Sequence, residues 1–321
     1  MNTIRSCFIL QKIFKIPQKS IYLKLIKYNK KLMNRLNITI KDYKEINRLI
    51  IDVNLSQSFD ERNYFINIKN TEKSFYHFYC EKKEIKNNFI TNTKKSKKIS
   101  IIINKKINSL KALFKNCKNI NEITFKKFNQ GNILDMSEMF FGCDSLSKLN
   151  VEKMITHKVQ DMSNMFDGCS LLIELNLQNF NTSNVNDMKY MFYRCSKLEK
   201  LDISNFNTSK VTNIRNMFNE CSSLLELNLS NFLTSRIKDM TGAFCECKSL
   251  KKIIGINNFV TNNVKEMNYM FYGCSSLKSL SGMKFIITKN TSVKHMFLEC
   301  DKDLIDKIKK NNKDFSNEAF I

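Results

Sequence analysis

The tetrad Phe-x-x-Cys recurs at a fixed interval, with its cysteines at Cys117, Cys143, Cys169, Cys195, Cys221, Cys247, Cys274 and Cys300. The interval is 26 residues, broken once by 27 between Cys247 and Cys274. A constant period of this length marks a solenoid, because one such unit cannot bury its apolar face alone and must stack on the next. The rest of the chain is either attached to that array or caps it. Seven Gly and one Pro are too few for a turn-rich sandwich or barrel, whereas 42% hydrophobic residues suffice for a packed core.

Two hydrophobic periods alternate inside each unit. Val185, Met188, Met191 and Phe192 step by three or four residues, which predicts a short helix. Leu198, Leu201 and Ile203 then follow an L-x-x-L-x-L pattern, which predicts a strand entering the core. The same sets recur one unit earlier (Val159, Met162, Met165, Phe166; Leu172, Leu175, Leu177) and one unit later. Between strand and helix lies Asn-Phe-x-Thr-Ser, as in Asn179–Ser183, with its Phe directed to the core and its polar residues expected to cap the next helix. A column of acids, Asp135, Asp161, Asp187, Asn213, Asp239 and Glu266, falls where the first turn of each helix is expected and reads as capping. Calcium would need six to eight oxygens converging on one point, and Asn213 breaks the charge.

The repeated phrase F-x-T-S-x-V-x-D-M-x-x-M-F-x-x-C-S-x-L-x-x-L-x-L resembles the BspA-like leucine-rich repeat of bacterial surface proteins, over about residues 107–300. The resemblance implies an α/β leucine-rich-repeat solenoid with one parallel strand and one short helix per 26-residue coil. It also implies a surface or interaction protein with no catalytic residues to carry over. Family members of bacterial type are commonly exported.

Four segments follow from this reading: a basic helical module over 1–50, an irregular, strand-containing connector and cap over 51–106, the repeats over 107–300, and a helical cap and tail over 301–321. In the first, Ile9, Leu10, Ile13, Phe14 and Leu23 keep helical spacing around the break at Pro17. This pattern is distantly similar to an F-box, which implies docking on a Skp-type ubiquitin-ligase adaptor through those five residues. The short apolar run Ile99–Ile103 is expected to start the array's sheet. Near the other end Leu304, Ile305 and Ile308 predict a terminal helix.

Residues 1–110 carry 24 Lys/Arg against 8 Asp/Glu, a net +16 of the chain's +23. Their Lys are dispersed and few aromatics lie among them, which argues against nucleic acid as a partner. No stretch has the roughly 20 apolar residues of a membrane span. The apolar run Cys7–Leu10 is shorter than a signal-peptide core, so a cytoplasmic location is expected, with a cell-surface or secreted adhesin as the alternative. Eight cysteines at one repeat position read as a buried structural column rather than as metal ligands or nucleophiles.

Chemistry is therefore sought on exposed strand positions. Five residues after each Cys stand Glu122, Lys148, Glu174, Lys200, Glu226 and Lys252, alternating in sign through six coils. Such a ladder fixes register, since opposite charges on neighbouring strands contribute about 0.2–1 kcal/mol each. The same surface is the candidate partner-binding site: Lys148, Asn150, Glu174, Asn176, Lys200, Asp202, Glu226, Asn228 and Lys252. No acid–base pair, nucleophile constellation or phosphate loop is recognisable, so the expectation is a non-enzymatic scaffold for a protein partner, without cofactor or metal.

Overall fold

A computed structural model describes residues 48–56, 63–91, 97–312 and 314–321. The five residues expected to dock an adaptor, Ile9 to Leu23, lie outside them, as does nearly all of the expected 1–50 module. The strands in chain order are β1 (Leu49–Leu55), β2 (Asn63–Tyr64), β3 (Tyr76–Cys80), β4 (Lys83–Ile85), β5 (Phe89–Ile90), β6 (Lys97–Ile103), β7 (Ile120–Phe128), β8 (Lys148–Asn150), β9 (Glu174–Asn176), β10 (Lys200–Asp202), β11 (Glu226–Asn228) and β12 (Lys252–Ile254). From β7 onward they return every 26 residues, and the chain is a repeat solenoid.

Its first end is closed by an antiparallel sheet of order β4-β3-β6-β1-β7, to which β8 adds in parallel. Strand β1 lies between β6 and β7, with Ile51 opposite Ile101 on one side and Phe125 on the other. Its alternate residues Leu49, Ile51, Val53 and Leu55 are fully buried, the period-two pattern of a strand with one face on a core. The Ile99–Ile103 run therefore belongs to the cap, antiparallel to β1, and does not start the array. That task falls to β7, whose Glu122–Thr124 pairs in parallel with Lys148–Asn150.

The expected helix in each coil is absent: α1 (Lys302–Asn311) is the only α-helix among the described residues. The segment Asp187–Cys195 is instead a chain of turns held by its neighbours. The amides of Met188, Tyr190, Phe192 and Arg194 donate to carbonyls of the next coil (Asn213, Arg215, Met217, Asn219) at 2.8–3.1 Å. The intervening amides of Met191, Tyr193 and Cys195 close local turns onto residues three back. This alternation requires two left-handed residues per coil, here Tyr190 and Arg194, both at φ 57°. Each costs about 1–2 kcal/mol in an L-residue. The cost is offset because the reversal turns amides outward, along the stack, where an α-helix would use them internally.

The expected caps are reassigned accordingly. Asp187 Oδ1 accepts from the Lys189 amide at 2.9 Å, and Asp135, Asp161, Asn213 and Asp239 do the same two residues on. These are Asx turns at a column of parallel bridges running from Ser109 to Ser292. The loop Thr caps no helix either. Thr182 Oγ1 donates to the Asn207 carbonyl at 3.0 Å and accepts the Asn207 amide at 2.8 Å, and Thr156, Thr208 and Thr234 repeat the double bridge.

Inside the coils, phenylalanines from Phe114 to Phe297 stack ring on ring at 5.3–5.8 Å with interplanar angles of 2–11°. Helix α1 is capped by Asp301, whose carboxylate accepts the Leu304 amide at 3.2 Å, and it buries Leu304 and Ile308. Past it, Phe320 continues the ring stack on Phe297 at 5.6 Å. The carbonyls of Glu318 and Ala319 take the amides of His295 and Phe297, supplying the acceptors that another coil would.

Candidate partner-binding groove

The cysteine column sits behind the turns. Each thiol from Cys143 to Cys300 donates to the carbonyl of a Phe 29 or 30 residues earlier, at 3.0–3.3 Å. Burial pushes Cys143 and Cys221 up to about 12, and the remaining column thiols likewise rise. All are free thiols. At neutral pH they are hydrogen-bond donors within the core rather than thiolates, because only the deprotonated sulfur is a nucleophile or ligand. Among the described residues, no three His, Cys, Asp or Glu converge as metal ligands, and no helix is long and apolar enough to cross a membrane.

On the strand side the parallel ladder is interrupted. Strands β7 and β8, β9 and β10, and β11 and β12 pair by main-chain hydrogen bonds, setting Glu122 against Lys148, Glu174 against Lys200 and Glu226 against Lys252. Between β8 and β9, and between β10 and β11, no such ladder closes. The charge alternation is thus matched to bonded pairs of coils. Among the described residues, however, no ion pair closes within the ladder. Pairs such as Arg194 with Glu220 and Arg215 with Asp239 form on the turn side instead.

The side chains that follow the ladder end the strands. Asn150, Asn176, Asp202 and Asn228 accept the amides of Glu152, Gln178, Ser204 and Ser230 at 3.0–3.2 Å, stopping each strand after three residues. Burial tends to raise Asp202, but hydrogen bonds from Ser204 and Gln178 outweigh it and hold its carboxyl below the usual carboxylate range.

A groove of about 860 Å³ opens over this side of the middle coils. Six of the nine candidate residues line it: Glu174, Asn176, Lys200, Asp202, Glu226 and Asn228. Lys148, Asn150 and Lys252 lie on the same ladders but do not line it. Its floor is apolar, with Leu149 half-buried and Leu175 and Leu201 buried. Sequence reasoning passed over Glu199 and Leu225, which also line it. Both stand one residue before a ladder charge, and Leu225 is 47% exposed, as is Ile173 (52%) at the equivalent position two coils earlier. An aliphatic residue breaking a polar column was the available signal.

A model of the family described as "Mycoplasma protein of unknown function, DUF285" matches four times, over residues 83–200, 108–225, 135–254 and 199–312. The chain belongs to this family. The DUF285 matches start 25 and then 27 residues apart over the first three, about one coil each, so the family unit steps along the chain with the solenoid. No curated protein and no solved structure matches the chain.

Proposed function

We propose that this chain is a non-enzymatic solenoid scaffold, of the BspA-like leucine-rich-repeat kind, that holds a protein partner in the groove on its strand side. The single observation that carries the reading is the groove itself, which presents apolar floor, carboxylates and amides together on a surface built from successive coils. Extended solenoid faces serve recognition because each coil adds an equivalent strip of contact surface. The helix-free coils support a rigid platform: the polar groups most able to do chemistry, the buried thiols and threonines, are tied into inter-coil hydrogen bonds. The leucine positions Leu172, Leu175 and Leu177, buried behind three-residue strands, support the leucine-rich-repeat assignment.

The test is selection of a displayed peptide library on the immobilised full chain, with counter-selection on Leu225→Asn. Enrichment of sequences that bind only the unaltered chain is the expected result. Libraries that enrich nothing dependent on Leu225 refute the reading.

A further inference from the structure

The groove carries a charge opposite to that of the chain around it. Glu174, Glu199, Asp202 and Glu226 face one ammonium, Lys200, so its lining is net −3 within a chain of net +23. Asp202 is held ionised by Ser204 and Gln178, and Glu174 and Glu226 on their strands and Glu199 just before β10 are solvent-exposed. The apolar surface beneath and beside them is not covered: Leu149 is half-buried, and Leu225 and Ile173 are about half-exposed. The sheet ladder that would otherwise draw the coils together is missing on both sides of the β9–β10 pair.

Building on the reading above, we infer that the occupant is an extended Lys- or Arg-rich segment of a protein partner, with small aliphatic residues between the basic ones. Charge complementarity selects the basic residues, and the aliphatic ones meet the leucine floor. The geometry suits a chain lying along the solenoid axis. The ring stack repeats at 5.5–5.6 Å from coil to coil here and an extended chain advances about 3.3 Å per residue, so basic side chains three to four residues apart reach Glu174 and Glu226 on alternate coils. An acidic or phosphorylated segment meets like charge at the same positions.

Fluorescence anisotropy on the full chain tests this with two short labelled peptides, one alternating Lys with Val and Ser, the other with Glu in place of every Lys. The Lys peptide is expected to bind. Its affinity should fall about tenfold or more in the double variant Glu174→Gln/Glu226→Gln and stay unchanged in Glu81→Gln, which lies on the distant cap. Both altered glutamates are exposed, so an unchanged thermal melt certifies the fold. Equal or tighter binding of the Glu peptide overturns the inference. If that binding is abolished by Leu225→Asn, the groove reading survives without it. Lys-peptide binding that ignores the double variant also overturns it, and if neither peptide's binding responds to Leu225→Asn, the groove reading falls as well.

Discussion

Replacing Thr208 by valine removes one hydroxyl and almost no volume. That hydroxyl donates to the Leu233 carbonyl at 3.0 Å and accepts the Leu233 amide at 2.7 Å, tying one coil to the next from a fully buried site. Each hydrogen bond contributes roughly 1 kcal/mol net, and a main-chain group left without a partner beside a buried side chain costs about 1–3 kcal/mol. We therefore expect Thr208→Val to lose about 2–4 kcal/mol. Thr208→Ser keeps both bonds and deletes one buried methyl, for a loss of about 1 kcal/mol. Urea unfolding followed by circular dichroism measures both variants. The order expected is wild type, then Ser, then Val. A weakened junction in mid-array should also broaden the Val transition, because coils are coupled only to their neighbours. An apolar column would give the opposite order, so a Val variant as stable as Ser refutes the double-bridge argument.

Phe192 is stacked at 5.5 and 5.6 Å between Phe166 and Phe218, and Phe192→Ala should cost about 3–5 kcal/mol, read as a fall in the urea midpoint. The buried thiols set an alkaline limit. With folded values raised from 9.0 to about 12 at Cys143 and Cys221, their contribution is full below pH 9 and is lost as pH rises toward 12. Unfolding should therefore become easier by about 1.4 kcal/mol per pH unit per thiol in that window, and a midpoint that stays flat from pH 8 to 11 contradicts the burial. Asp167 behaves in the same sense at lower pH. Burial raises its carboxyl from 3.8 to about 6, so Asp167→Asn should stabilise the fold at pH 7 and change little at pH 4, as thermal melts at both values will show.

The stacking period and nearly the whole apolar interior were legible because they depend on which residue types recur, and Met, Phe, Cys and Leu recur at fixed steps. The path of the turn segment was not. Val185, Met188, Met191 and Phe192 place their side chains on one side of a helix, but also on one side of a chain that alternates right- and left-handed residues. What decides between the two is hydrogen bonding to the neighbouring coil, which no single repeat contains. A local clue was present in Gly142, Gly168 and Gly273, each immediately before a column cysteine and each at φ of 67–75°, where a helix would not favour repeated glycine. The candidate surface was partly legible for a related reason. Alternation along the strand separates outward from inward residues, but the gaps between strand pairs that shape the groove follow from how coils settle against one another. Asn150 and Lys252 stand on the same ladders and still fall outside the cavity.

The single 27-residue interval shows where this architecture has slack. The additional residue is Gly255, at φ 83° in the corner after β12, where a Cβ would meet the Ser230 backbone at 2.5 Å. Ile256, one place late, still reaches the core in the role that Leu229 fills one coil before. The opposite side of the coil has no comparable freedom, since an added residue there would put every second amide out of phase with its acceptor. Foreign sequence, whether an epitope, a fluorophore site or a grafted loop, therefore belongs at the strand-exit corner. Length variation among solenoids built this way should accumulate at that corner and leave the turns at constant count.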